Sequence, residues 1–538
     1  MAPFHYAIMH LRSVHIVYQA VPPKAASACL GVFCLLLIVT SAKVVNRLFF
    51  SPFRKVPGPI LAKLTGGWLL CVDLAGRRAM KVHKLHEKYG SVVQLGPNEL
   101  SFSSAESIDI IYGTGTRFRK APMYMTMGRP GVLHLSDPAA HKERRRLLNH
   151  AFSKQQLDDM EPEFRNSVKK MVARMERQGG EALDMKHWFK MYTLDNAGKA
   201  FLGATFGGLD SDESPRYVKD FDLFLLAWAF KSNFPIPAWF VQKIPHPKIK
   251  FVFDAEARIY QHGIDRFNEY IEKYGRVSQR RDLLTKMIGR KENDPDALAD
   301  SDIAVEISNL CFAATDTTGT ALVYLFWELA RNPHLAERLR SEIADLPLVD
   351  GVIQHQSVSN VPFLEALIIE GLRAYPPLPS GLLREAPVGG CVIDGIYVPQ
   401  GTIVSTHTWT THHSPEYFPH PDKFDPSRWL EGNVCDGMKR LWMPFSKGPR
   451  NCLGRTMGLF EMKILIATLV RRFHISIDDT MRDDAMDITD HFLLIPKGDK
   501  CLLRFTPIKI TAHGRFEEDR DADGEDVEGG LGISFQRT

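Results

Sequence analysis

Between Asp302 and Arg331 the chain carries one uninterrupted helical pattern of apolar residues, closed by Asn332-Pro333. As an α-helix this stretch spans about 45 Å, enough to cross a whole domain. Other elements have to wrap a helix of that length, so the fold it demands is large and rich in helices. In its middle lies a polar island, Thr315-Asp316-Thr317-Thr318, flanked by apolar residues on both sides. Buried polar groups need partners, and mid-helix hydroxyls find them by bonding back to the carbonyl ladder, which bends the helix. The island reads either as a solvated face or as a place where protons are handled inside the domain.

The 538 residues exceed one ordinary core, which leaves several domains or a single very large one. A net charge of +4 gives nucleic-acid binding no bulk electrostatic support. The eight cysteines are scattered and form no CxxC pair. That argues against a disulfide framework or a clustered zinc site, and for a reducing compartment. Residues 25–42 carry no charge and as a helix would span about 27 Å, close to one hydrocarbon core. Lys43, Arg47, Arg54 and Lys55 follow, and the positive-inside bias then places the bulk of the chain in the cytoplasm.

The segment SPFRKVPGPI, residues 51–60, is a stiff non-helical linker. The expected organisation is a short lumenal N-terminus (1–24), an anchor (25–45), a basic, proline-rich hinge (46–60), a catalytic domain (61–508) and an acidic tail (509–538). The tail reads as solvated and disordered. Within the domain, strands from Ser91 and from Glu99 are expected to form a hairpin through Pro97-Asn98. A second hairpin is expected in FLLIPKGDKCLLRF, turning at Lys497-Gly498-Asp499.

The stretch FSKGPRNCLGR, Phe445 to Arg455, concentrates the chemistry. Its glycines permit turns that side chains would block, and Pro449 stiffens the approach. A helical pattern starts just after Cys452. A cysteine at a helix N-terminus beside Arg450 has its thiolate favoured by dipole and charge. Local physics asks for a sulfur anion and leaves open whether it is a nucleophile, a metal ligand or a plain core thiol.

Phe445, Gly448, Arg450, Cys452 and Gly454 occupy all five fixed positions of F-x-x-G-x-R-x-C-x-G, and the loop resembles the haem-binding loop of the cytochrome P-450 superfamily. The resemblance implies that Cys452 is the axial ligand of the haem iron and that Arg450 pairs a haem propionate. Thiolate donation is the property this family uses to favour O–O cleavage. The polar island resembles the family's A-G-x-D-T-T, with Asp316 and Thr317 in the acid and alcohol roles. Ala314 replaces the usual glycine, and its methyl is expected to narrow the oxygen groove.

Glu370 and Arg373 share a helix face at i, i+3 in an apolar run and resemble the family's E-x-x-R, with Arg428 of FDPSRW as third, structural member. His141-x-x-x-Arg145 resembles its W-x-x-x-R propionate clamp, with histidine in place of tryptophan, and Arg384 resembles another propionate contact.

The implied fold is mainly α with a small β region, the cytochrome P-450 fold, preceded by a single N-terminal transmembrane helix. The implied function is that of a haem-thiolate monooxygenase with haem b (iron protoporphyrin IX), O2, and NADPH acting through a flavoprotein reductase. The implied location is the endoplasmic reticulum membrane, single-pass and facing the cytoplasm. The hinge wording looks most like members from filamentous fungi, many of which modify secondary metabolites. The substrate is expected to be an apolar small molecule held by residues 121–132, 221–240, 379–383 and 490–493. A basic docking face for the reductase is expected from Lys439, Arg440 and Lys447 together with Lys142, Arg144 and Arg146. A reductase-independent haem-thiolate isomerase or dehydratase and a non-enzymatic haem sensor are the rival readings; the Asp316-Thr317 pair argues against both.

Overall fold

In the computed structural model, residues 23–508 are described, apart from 281, 290, 292, 293, 295 and 296. Residues 1–22 and the acidic tail lie outside the described residues. The long apolar pattern is one helix, Asp300–Arg331, here called the central helix. Asp300 and Asp302 sit in its first turn and Arg331 in its last, each favourable to the helix dipole. It stops where Asn332 donates to the Glu328 carbonyl (3.0 Å) and Pro333 opens the next helix.

The central helix packs most extensively against Met185–Leu202, a helix buried around nearly its whole circumference, Asp195 and Asn196 included. Phe189 and Phe326 meet across that contact with ring centroids 4.9 Å apart. Helices Lys154–Gln178, Ala255–Tyr274 and Arg455–Arg472 complete the surround. One continuous apolar cluster runs through all of them.

A five-stranded sheet lies apart from this bundle, in the order Val92–Gly96, Glu99–Phe102, Ile403–Thr406, Arg384–Glu385, Arg119–Lys120. The first two form the antiparallel hairpin expected through Pro97-Asn98. At the far edge, the antiparallel register sets Lys120 directly opposite Arg384.

The second expected hairpin does not form. Leu493–Pro496 folds back onto Ile488–His491, whereas Leu502–Pro507 pairs with Phe473–Ile477 and Leu183–Asp184. The turn at Lys497-Gly498 is held by the earlier segment instead, through the carbonyls of Asp487 (2.8 Å) and Ala485 (2.7 Å). Leu503 and Phe505 are thereby buried against the bundle.

The domain is preceded by one apolar helix, Pro23–Val45, which continues through a π-helical turn to Phe50. From Ser27 to Phe50 it is long and apolar enough to cross a membrane, and its apolar window is not buried against the rest of the protein. Arg47 at its end donates to the Leu64 carbonyl and ties it to the first short helix of the domain. Ile236, Trp239 and Phe240 add further exposed apolar surface.

Candidate active site

In the loop around Cys452, the Cys452 N–H donates to the Phe445 carbonyl at 2.8 Å. Gly448 has φ +61°, and a Cβ there would lie 2.1 Å from the Tyr112 carbonyl oxygen, so only glycine fits. Gly454 differs: a Cβ would meet no atom within 4 Å, although the residue borders a large cavity. Its bareness answers to something other than protein packing.

Cys452 sits just before helix Arg455–Arg472 and opens onto the same cavity. Burial raises its thiol above the usual value, while the N–H groups of Gly454 and Arg455, together with the Arg145 charge, pull it down. The cation expected beside the sulfur, Arg450, instead donates to the carbonyls of Leu135 and Ser136 (2.7 Å to the latter). The helix end and Arg145 take that part.

The cavity encloses about 1500 Å³ of atom-free space, part of it open to solvent. Pockets for one drug-sized ligand run to about 1,000 Å³, so there is room for a prosthetic group and a second molecule. Phe445 and Cys452 contribute to its wall, and so do Leu310, Ala314 and Thr317 of the central helix.

Four cations converge on this cavity: Lys120, Arg145, Arg384 and Arg450, with His141 among them. None of the four forms an ion pair with a carboxylate among the described residues. Arg145 donates to the Asn451 carbonyl (2.6 Å) and side chain (2.5 Å), tying the clamp helix to the cysteine loop. Burial pushes the Lys120 amine well below its ordinary value, and Arg384 and Arg450 push it further. Burial and Arg384 bring Arg450 down to about 10. His141 is pushed down to about 3, by burial first and then by Arg450 and Lys120, so its imidazole is neutral.

Like charges opposite each other in a sheet are unfavourable, yet the register pairs Lys120 with Arg384. The donor set is that of a site for a dianion. The two propionates of haem would satisfy it, Cys452 would supply a sulfur for the iron, and the bare Gly454 leaves the space beside that sulfur clear. These residues fit haem.

The polar island divides. Thr317 lines the cavity, and its hydroxyl donates back to the Ala313 carbonyl at 2.7 Å. Thr315 does the same to Cys311 at 2.6 Å, and its own carbonyl accepts from Thr193 at 2.8 Å. Asp316 points away from the cavity to Lys190 (3.1 Å), which also reaches Asp222 (3.3 Å). Thr318 reaches the cavity beside Glu461, a fully buried carboxyl that the sequence reading passed over. Burial raises Glu461 to about 8, against hydrogen bonds from Asn196 and Thr318. Its signal was a lone acid inside the apolar run that follows the cysteine loop. Lys120, the other omission, gave no sequence signal, because only the sheet register brings it in.

The triad is buried and closed. Glu370 accepts from Arg373 (2.7 and 2.8 Å), Arg428 (3.3 Å), the Trp429 indole (2.8 Å) and the Asp425 N–H (2.9 Å). The expected basic docking face is thinner than its sequence. Arg144 turns inward to Asp302 (2.7 Å) and Glu306 (3.0 Å), and Arg440 pairs with Asp109 (2.6 Å). Met127, Phe221 and Phe224 of the expected substrate walls line a second cavity beside the first. Residues 490–493 line neither; Asp490 is held by Ser380 and the Gly76 carbonyl.

This arrangement, a cysteine loop under a long helix within a helical bundle and a small sheet, defines a haem-thiolate protein. A profile described as Cytochrome P450 matches residues 57–503, and the chain belongs to that family. It is 30% identical over 489 residues to "Cytochrome P450 monooxygenase tazI" of Aspergillus terreus, covering 89% of this chain and 99% of that one. It is 30% identical to "Cytochrome P450 monooxygenase aflV" of Aspergillus parasiticus (86% and 93% covered) and 28% identical to the "Averantin hydroxylase" of Dothistroma septosporum (82% and 84%). The fold matches a crystal structure of the cytochrome P450DA heme domain with a TM-score of 0.70 at 20% identity, over 82% of this chain and 94% of that one. The protein is accordingly an oxidoreductase of the monooxygenase class.

Proposed function

We propose that the protein takes two electrons from NADPH through a partner flavoprotein reductase and uses O2 to oxidise an apolar secondary-metabolite intermediate. The observation that carries this reading is one cavity bordered at once by Cys452, Thr317 and four cations without carboxylate partners. Haem, when bound, supplies the oxygen activation. Cys452 would hold the iron, and Arg145, Arg384, Arg450, Lys120 and His141 would hold the propionate edge. Thr317 presents a hydroxyl to the reacting space. Asp316, through Lys190 and Asp222, supplies protons from the surface side, and Glu461 holds one in reserve near neutral pH. The apolar walls exclude water. The Pro23–Val45 helix anchors residues 61–508, the catalytic unit, on the cytoplasmic side of the endoplasmic reticulum membrane. The cations that follow the helix support this orientation.

The test is turnover with NADPH and a reductase. Thr317→Ala should go on consuming NADPH and O2 while releasing hydrogen peroxide instead of product. An isomerase or dehydratase would turn over without reductase, and a sensor would not turn over at all. The absorption spectrum of the reduced, carbon-monoxide-bound protein tests the ligand: an imidazole-like spectrum, or haem retention unchanged in Cys452→Ala, overturns the thiolate assignment.

A further inference from the structure

The charge of this chain is unevenly divided. Glu517 to Glu528 places eight carboxylates in twelve residues, and residues 509–538 as a whole hold eight acids against four cations. The net +4 of the chain is therefore −4 in that segment and +8 in residues 1–508. None of the roles above uses the acidic run.

The point where the described chain ends fixes what the run can reach. The Ile508 N–H donates to the Arg472 carbonyl (2.9 Å), at the C-terminal end of helix Arg455–Arg472. The cysteine loop sits at the other end of that helix, about 26 Å away by the rise of its turns. Nine positions separate Ile508 from Glu517, and fully extended they span about 30 Å. The start of the acidic run reaches the loop, and the remainder is long enough to lie across the surface there.

That surface is cationic and only partly answered. Lys142 stands one turn before Arg145, whose guanidinium bonds Asn451 beside Cys452. Lys447 donates to the carbonyls of Lys439 (3.4 Å) and Arg440 (2.5 Å). The Arg455 guanidinium lies 5.9 Å from the Trp442 ring centroid and 5.6 Å from that of Phe445. These contacts gather Lys142, Lys439, Lys447 and Arg455 around the cysteine loop, and all but the half-buried Lys447 are exposed. Arg146 is answered by Glu143 (2.8 Å) and Arg440 by Asp109 (2.6 Å), and Lys439 lies 3.6 Å from Asp436. Lys142, Lys447 and Arg455 form no ion pair among the described residues. One exposed cation without a partner is ordinary. Three around a single loop, with eight carboxylates tethered within reach, are complementary charge. A tether presents the run at about millimolar effective concentration, so individually weak contacts suffice.

We propose that Glu517–Glu528 docks on the cationic face around the cysteine loop, at Lys142, Lys447 and Arg455, and competes there with the reductase. The inference rests on the reductase-dependent reading and adds a regulator to it. An acidic partner has to displace the chain's own acidic run before electrons pass.

The experiment treats the haem-loaded full chain with a zero-length carbodiimide, which joins carboxylates to amines in direct contact, and maps the links by mass spectrometry. Links from Glu517–Glu528 should concentrate on Lys142, Lys439 and Lys447 and disappear at about 1 M salt, where screening acts within about 3 Å. No links, or links spread evenly over other exposed lysines such as Lys81 and Lys273, overturn the proposal. A full-chain variant with Glu→Gln and Asp→Asn at all eight acids tests the consequence. At low salt its apparent KM for a flavoprotein reductase should be about tenfold lower than that of the wild type, the worth of a few exposed pairs. The two values should converge at about 1 M salt, and reduction by dithionite should be the same in both proteins. An unchanged KM at low salt overturns the competition. If the links form but no reductase reduces either protein, the docked run stands and the reductase-dependent reading beneath it fails.

Discussion

Two buried charge clusters in this molecule are built from arginine and have opposite fates. Around Glu370, the chain brings its own carboxylate to Arg373 and Arg428 and adds an indole and a backbone N–H. Around the cavity, Lys120, Arg145, Arg384 and Arg450 gather without an ion pair to any carboxylate of the described residues, and Glu461, which lines the same cavity, bonds Asn196 instead. The first cluster is complete when the protein folds. The second is complete only when an anion arrives. A buried charge whose partner is internal holds the fold, whereas one whose partner is missing marks a site.

The sharpest way to break this contrast is to remove the internal partner. Glu370→Gln should destabilise the protein by about 3–5 kcal/mol in thermal or chemical denaturation, with or without haem, because two buried guanidinium groups lose their counter-charge. A loss confined to the haem-bound form would mean that the triad is part of the site.

Glu461 sharpens the comparison from another side, since a proton takes the place of a partner. Its folded carboxyl titrates near 8 against an ordinary 4.5. The folded state therefore binds the extra proton. The stability this brings is complete below about pH 4.5 and is lost as pH rises through about 8. Thermal melts of Glu461→Gln across that window should fall less steeply with pH than those of the wild type. Parallel profiles would show that the carboxyl is not buried in the ionisable form described.

At the cavity rim the sign reverses. Lys120→Met should stabilise the haem-free protein by about 0.2–1 kcal/mol, by relieving the like-charge pair with Arg384, and should speed haem loss from the loaded protein. A drop in haem-free stability would mean that the Lys120 bonds to the Val132 and Leu133 carbonyls outweigh that repulsion. The smallest expected effect separates the two loop glycines. Gly454→Ala should leave haem-free stability within about 0.5 kcal/mol while impairing haem uptake, whereas Gly448→Ala should destabilise both forms through its φ and the Tyr112 carbonyl. Equal effects would remove the claim that Gly454 answers to the ligand.

What the sequence disclosed follows the range of the interactions concerned. Cys452, Gly448 and Thr317 belong to local patterns: Cys452 and Thr317 line one cavity, and Gly448 turns the cysteine loop against the Tyr112 carbonyl. The central helix matched its apolar pattern to within two residues at its N-terminal end and ended at Arg331 as expected, because periodicity is a local property. Lys120 and Arg384 meet through a strand register, and Glu461 meets Thr318 through helix packing; no spacing along the chain encodes either. Arg144 and Arg145 show how sharply this bites. Adjacent in a basic run, they diverge by about 100° around the helix axis, so one reaches Glu306 and the other the cysteine loop. The final hairpin failed for the same reason: its turn chemistry was right for a hairpin, but burial of Leu503 and Phe505 against the bundle decided the pairing.

The pairing of Lys120 with Arg384 has a consequence for the life of the protein in a cell. The strand edge that carries it is held together against its own electrostatics until an anionic ligand bridges it, so binding adds to folding stability by mass action. Cofactor supply then acts as a checkpoint on the newly made chain. The haem-loaded protein is then expected to resist proteolysis better than the haem-free protein.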